Sequence, residues 1–262
     1  VVSWEICSLH LLCGLVAQVA SASAMTARRQ TVRMPPVRLA RLIIFDCDGV
    51  LVDSEVISND VLAQALSAEG LPTTLSEARS AYQGLLLAEV VRQAERRLGR
   101  PLPEDWLARY ERDRAAVFRR DLRAVPDAAE TVAAFSAAGV EVCVASQGKL
   151  EKTRLSLELT GLRQLFAERA LFSAEQVARG KPHPDLFLHA ASTMGVSPSE
   201  CVVVEDSPSG VSAASAAAMR VFGYAADSDP EALRRAGAEL IGSLAELPRL
   251  LGLALPSPQA GA

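Results

Sequence analysis

Short, largely β-branched apolar runs that end abruptly in polar groups set the limits on what this chain can fold into. Leu42-Ile43-Ile44-Phe45 runs into Asp46, and Val140-Glu141-Val142-Cys143-Val144-Ala145 into Ser146. Cys201-Val202-Val203-Val204 runs into Glu205-Asp206, and Arg220-Val221-Phe222-Gly223 is a shorter run of the same kind. Such runs lack the in-out alternation of a half-exposed strand. They suit strands covered on both faces, as in a parallel sheet. Helical patterns separate them, at about 127–138, 149–160, 184–194 and 208–218, with Gly139 and Gly195 where C-terminal caps belong. Strand and helix in alternation predict right-handed βαβ units, hence an α/β fold with a doubly wound, Rossmann-like parallel sheet.

Residues 55–124 break this alternation. They read as helical throughout, with turn signals at Gly70-Leu71-Pro72, at Gly84 and at Gly99-Arg100-Pro101. The expected organisation is therefore a core from 41–54 and 125–252, an all-helical insert at 55–124 after the first strand, and a tail at 253–262. The 262 residues are enough for such a core and a small second domain.

The first forty residues stand apart. Residues 6–24 are apolar, and Ala22-Ser23-Ala24 has the small residues of a signal-peptidase site. Glu5 and the lack of Lys or Arg before the apolar stretch are wrong for a signal peptide. The stretch is also short for a membrane span. Residues 1–40 are expected to be an extension, signal-like or disordered, or the product of a mis-assigned start, with Met25 and Met34 as alternatives.

A formal charge of −4 gives no electrostatic case for nucleic acid or an anionic membrane. Five cysteines without a CxxC pair favour a reducing cytoplasm. The three histidines, His10, His183 and His189, are too scattered for a zinc site.

In an open α/β sheet, ligands bind beyond the carboxyl ends of the strands. Asp46, Asp48, Ser146, Glu205 and Asp206 all fall at such ends, so the fold would gather them on one edge. Carboxylates gathered without a partner repel one another and rise in pKa, so they call for a cation; Mg²⁺ fits their hard oxygen ligands. Lys181, in Gly180-Lys181-Pro182-His183-Pro184-Asp185, sits in a loop stiffened by two prolines. Ser146-Gln147-Gly148-Lys149 opens a helix, where backbone N–H groups and a hydroxyl can hold phosphate oxygens. Two carboxylates on a turn, a metal site, an anion cradle and a positioned lysine suit phosphoryl transfer.

DCDGVLVDSE (46–55), VASQ (144–147), GKPHPD (180–185) and VVVEDSPSG (202–210) together resemble the haloacid dehalogenase superfamily. More narrowly, they are similar to its phosphatase and β-phosphoglucomutase-like branch, in which a helical cap follows the first strand. The resemblance covers about 41–252. It implies that Asp46 is the nucleophile, forming an aspartyl phosphate, and that Asp48 protonates the leaving oxygen and then activates water. It implies Mg²⁺ held by Asp46, the backbone carbonyl of Asp48, Asp206, and Glu205 directly or through water. Ser146 and Lys181 would bind the transferring phosphoryl oxygens. Gly49 would permit the tight turn after the nucleophile.

Other readings accompany these. Ser146 also suits an N-cap, and Lys149 either contacts phosphate or faces solvent. Cys47 reads as a small buried filler and His183 as a loop spacer. Glu55 is either a hinge or a substrate-facing residue. Asp48 argues against a dehalogenase, which lacks the second aspartate. Mutases of this branch carry a histidine early in the first cap helix and an arginine after the cap glycine. Here 53–60 offers no histidine, and Gly84 is followed by Leu85-Leu86-Leu87. The reading is a Mg²⁺-dependent phosphatase for a small phosphorylated metabolite, sugar phosphate or phosphogluconate-like, in a monomer or weak dimer. A sugar phosphomutase and a catalytically silent binding module are the alternatives.

Overall fold

A computed structural model describes residues 40–82 and 85–253. The readings placed on the N-terminal extension, on Gly84 and on most of the C-terminal tail fall outside these residues.

Six strands form one sheet, in the order β3-β2-β1-β4-β5-β6, and every neighbouring pair is parallel. The strands are β1 (Leu42–Phe45), β2 (Glu141–Ser146), β3 (Leu171–Ser173), β4 (Cys201–Glu205), β5 (Arg220–Tyr224) and β6 (Glu239–Ile241). Four are the apolar runs read from the sequence. The other two are short edge strands that the sequence reading lacked.

The side chains of the central strands divide by the twofold alternation of an extended chain. Ile43 and Phe45 join Val142, Val144, Val202 and Val204 in one buried cluster, closed by α5 (Ala128–Ala137) and α6 (Leu150–Leu159). Leu42 and Ile44 join Cys143, Ala145 and Val203 in the opposite cluster, closed by α7 (Asp185–Met194) and α8 (Pro208–Ala216). Both faces are therefore apolar and covered, which is why the strands read as continuous runs. The remaining helices of the sheet layer are α9 (Pro230–Ala236) and α10 (Leu247–Leu250). Gly195 caps α7 in the left-handed conformation, and Gly139 also has positive φ just past α5.

Between β1 and α5 the described residues form four helices: α1 (Glu55–Ala68), α2 (Leu75–Tyr82), α3 (Leu87–Leu98) and α4 (Trp106–Asp121). They bury a core of their own, with Leu62, Leu66, Tyr82, Val90, Trp106 and Tyr110 in contact. Trp106 and Tyr110 stack with ring centroids 5.7 Å apart, one turn apart on α4. The chain enters and leaves this helical segment on two adjacent extended stretches. Val52 bridges Ala124 antiparallel, the Asp53 N–H donates to the Arg123 carbonyl at 3.0 Å, and the Val125 N–H donates to the Leu51 carbonyl at 3.0 Å.

No helix among the described residues is long and apolar enough to cross a membrane.

Candidate active site

The strand order reverses at β1: its sequence successor β2 lies on one side and β4 on the other. Such a switch point opens a crevice at the carboxyl edge of the sheet. Phe45 is in register with Val144 and with Val204. One residue further on, Asp46 leaves the sheet beside Ala145 and Glu205. Its N–H still donates to the Val204 carbonyl at 2.9 Å, so the backbone fixes where its side chain begins.

The chain then turns sharply. The Leu51 N–H returns to the Cys47 carbonyl at 2.9 Å, and the Gly49 N–H donates to the Val52 carbonyl at 2.9 Å. Gly49 has φ of +75°, and a Cβ there would overlap the Asp206 carboxylate. Only glycine meets both demands, and its lack of a side chain lets the Asp46 turn and Asp206 close up. Cys47 is fully buried, and that burial raises its thiol well above the ordinary range. It is a space-filler rather than a thiolate.

Asp46, Glu205 and Asp206 bring carboxylate oxygens within 4.8 Å of one another. Lys181 enters the same cluster. Its Nζ lies 2.5 Å from Asp46 Oδ1 and 2.5 Å from Glu205 Oε1, and donates to the Ala145 carbonyl at 3.1 Å. Burial pushes the Asp46 carboxyl up to about 7; Lys181 opposes the rise, while Glu205 and Asp48 add to it. Asp206 is raised well above the carboxylate range by burial, then by Glu205 and Asp46. Three acids against one lysine leave the cluster short of positive charge. A divalent cation fits this donor set of hard oxygens.

Glu205 is the most tightly held of the three. Its Oε2 accepts from the Asp206 N–H at 3.1 Å, the Ser207 N–H at 3.0 Å and the Ser207 hydroxyl at 2.9 Å. The same Ser207 hydroxyl caps α8 by accepting from the Gly210 N–H at 3.1 Å. Gly210 lies against the Glu205 carboxyl so closely that a Cβ would overlap it.

Lys181 is aimed by Gln147. The Gln147 Oε1 accepts from the Lys181 N–H at 3.0 Å, and a Cβ on Gly180 would fall 2.7 Å from that amide. Thus Gln147 supports the lysine loop. Ser146 is fully buried; its hydroxyl accepts from the Gly148 N–H at 3.0 Å and lies 3.5 Å from Asp48 Oδ2. It serves the helix start and the site together. Lys149 is exposed and pairs with Glu111 of α4 at 2.7 Å.

Two partners of Asp48 went unread in the sequence. The buried Ser54 hydroxyl and the Lys152 ammonium both donate to Asp48 Oδ1. Burial disfavours the Asp48 charge, but Lys152 and then Ser54 outweigh it and hold the carboxyl below its ordinary value. Lys152 is the third residue of α6, whose N-terminus faces the site. Helical side chains lean toward the N-terminus, so a lysine there can reach back over the first turn. Glu55 opens α1 half-buried; burial, then the charge of Asp48, push it up to about 7.

These groups floor a cavity of about 480 Å³. Leu62, Tyr82, Leu85, Leu86, Leu87 and Val90 from the helical segment form an apolar wall over Asp46, Asp48, Asp206 and Lys181.

Residues 40–218 match the family model for haloacid dehalogenase-like hydrolases. The 6-phosphogluconate phosphatase of Escherichia coli is 30% identical over 209 residues, which span 79% of this chain and 93% of that protein. Hexitol phosphatase B of the same organism is 31% identical over 68% of this chain and 80% of its own length. Among solved structures, a family hydrolase from Deinococcus radiodurans with bound phosphate and sodium superposes with a TM-score of 0.68 at 34% identity. It covers 84% of this chain and 99% of that one. A putative β-phosphoglucomutase from Thermotoga maritima gives 0.68 at 26% identity, over 82% and 100%. The chain belongs to the haloacid dehalogenase-like hydrolases. Within that family it is a phosphatase, a phosphoric monoester hydrolase.

Proposed function

We propose that this phosphatase is Mg²⁺-dependent, works through an aspartyl phosphate, and acts on a small phosphorylated metabolite of the sugar-phosphate or phosphogluconate type. One observation carries the reading: Asp46, Asp48, Lys181 and Asp206 converge from three loops on the floor of a single metabolite-sized cavity.

Asp46 is the nucleophile. Its Oδ1 is held by Lys181, which leaves Oδ2 to attack phosphorus in line with the departing ester oxygen. Lys181 and the Ser146 hydroxyl neutralise and orient the phosphoryl oxygens. Mg²⁺ would be held by Asp46, Asp206 and the Asp48 carbonyl, with Glu205 direct or through water, and would supply further neutralisation of phosphoryl charge. Glu205, with both oxygens engaged by the protein, chiefly fixes Lys181 and the turn that carries Asp206.

Asp48 carries the protons. While Lys152 and Ser54 hold it ionised, it is a base, the form that draws a proton from the water attacking the aspartyl phosphate. To protonate the leaving oxygen in the first half it must itself gain a proton, so loosening of the Lys152 contact on substrate binding belongs to the cycle. The helical segment acts as a cap: it covers the site, excludes bulk water and presents its wall to the leaving group. A mutase must also hold a second phosphate, and the wall of Leu85, Leu86 and Leu87 offers it no charge.

Phosphate release from a panel of phosphorylated metabolites and p-nitrophenyl phosphate, with and without Mg²⁺, tests the reading. Activity should vanish with EDTA, return with Mg²⁺, Mn²⁺ or Co²⁺, and be inhibited by Ca²⁺, whose longer bonds and higher coordination spoil the in-line geometry. Full turnover after exhaustive chelation would overturn it.

A further inference from the structure

We infer that Arg114 recognises a carboxylate on the leaving group, so that the favoured substrates are phosphate monoesters of polyhydroxy acids. The inference rests on the phosphatase reading and narrows it.

Among the described residues, four cationic side chains line the cavity: Lys149, Lys152, Lys181 and Arg114. Three are already matched. Lys181 pairs with Asp46 and Glu205, Lys152 with Asp48, and Lys149 with Glu111. Arg114 has no carboxylate in ion-pair range among the described residues. Arg114 feels the charge of Asp48 from beyond contact distance, and a half-buried guanidinium with no carboxylate in direct contact, facing a cavity, is a site for an anion brought from outside.

Its geometry says which anion. The Arg114 guanidinium lies 5.0 Å from the centroid of Tyr110 and 5.9 Å from that of Phe118. These residues stand four before and four after it on α4, so ring, cation and ring share one face of the helix. Aromatic contacts engage the face of the guanidinium and leave its edge donors for a ligand. One edge donor meets the Tyr110 hydroxyl at 3.4 Å. The rest form a fork whose planar shape matches a carboxylate, with two parallel hydrogen bonds.

A second phosphate fits less well. A dianion would need more than one uncommitted cation, and Glu55 and Glu111 line the same cavity. A single planar monoanion asks only for the fork. Ser58 and Asn59 on the same wall offer polar groups to the hydroxyls between carboxylate and phosphate.

The test uses a matched pair, gluconate 6-phosphate and glucitol 6-phosphate, which differ only in carrying a carboxylate or a hydroxymethyl at one end. The wild-type kcat/KM should favour the acid on the order of 10- to 100-fold, the scale of a charged hydrogen-bonded contact. Arg114→Gln should bring that ratio toward one, with the loss carried by KM for the acid. Arg114→Lys, which keeps the charge but loses the fork, should fall between. A wild-type ratio near one, an unchanged ratio in Arg114→Gln, or better turnover of a hexose 1,6-bisphosphate would overturn the inference. Should Arg114→Gln fail to fold, the wild-type ratio and Arg114→Lys decide. No phosphate release from any ester, p-nitrophenyl phosphate included, would instead overturn the phosphatase reading, and this inference with it.

Discussion

Gly210→Ala sets two physical rules against each other. Gly210 lies in the first turn of α8, and alanine is the better helix former by ~1 kcal/mol. Helix propensity alone therefore predicts a more stable protein. The new Cβ, however, would overlap the Glu205 carboxyl, which is fully buried and cannot swing aside. Three donors grip its Oε2, and Lys181 grips its Oε1. Forcing a methyl into a packed site costs ~1–3 kcal/mol. Breaking a buried ion pair costs ~3–5 kcal/mol when it is lost outright. With partial relaxation and the helix gain subtracted, the net is destabilisation of ~2–4 kcal/mol. For a domain of this size that corresponds to a fall in Tm of roughly 5–15 °C. Thermal unfolding followed by circular dichroism reads it directly. Ser212→Ala, on the same helix, is the control and should stay within ~0.5 kcal/mol of wild type. An unchanged or raised Tm in Gly210→Ala would refute the claim that Glu205 is locked against this glycine.

Asp46→Asn should abolish turnover with metal present while the protein stays folded; activity above a few per cent would remove Asp46 as nucleophile. Asp48→Asn should slow turnover by ~10²–10⁴-fold yet still form some phosphoenzyme, detectable by trapping, because only proton transfer is lost. Glu55 gives a pH signature in chelated protein. Its folded-state pKa, about 7, is raised by burial above the ordinary 4.5, so the fold binds its proton more tightly than the unfolded chain does. The stabilisation is complete below the unfolded value and lost as pH rises through 7. Glu55→Gln should therefore raise Tm more at pH 8 than at pH 5, and an equal effect at both would refute the shift. Leu87→Arg, on the apolar wall, should reorder a substrate panel while leaving the Mg²⁺ concentration for half-activity nearly unchanged; an unaltered ranking would refute the wall as a specificity element.

What could be read from the chain follows a physical division. The central strands were legible because burial on both faces leaves no choice but an apolar run. The edge strands β3 and β6 were not, since Leu171–Ser173 and Glu239–Ile241 are three residues each, shorter than any period can register. The groups at strand ends, Asp46, Ser146 and Glu205-Asp206, were legible because a parallel sheet gathers them whatever their separation in the chain. Lys152, Ser54 and Arg114 were not. Each lies on or beside a helix, where a polar residue most often faces water, and only the placing of α1 for Ser54, α4 for Arg114 and α6 for Lys152 turns these toward the site. For Lys152 a signal existed in its place three residues into a helix whose start was already assigned to the site. Lys149, about one turn earlier, has the more obvious place at the helix start, yet its ammonium meets Glu111.

The entry and exit of the helical segment lie side by side, bridged at Val52 and Ala124. Facing residues of antiparallel strands have Cα atoms about 5 Å apart. To the sheet layer, then, the whole stretch from 53 to 123, with its four helices, occupies the place of a hairpin turn. The ends are close enough for a short turn to close across the gap, but Phe118 and Leu122 of the segment pack in the core beneath β1 and α5 and would have to be replaced there. A different helical segment with equally close ends can be set in its place. Asp46, Asp48, Lys181, Glu205 and Asp206 all belong to the part left behind, so exchange at this junction would change the wall of the cavity while these five side chains keep their places in the loops of the sheet.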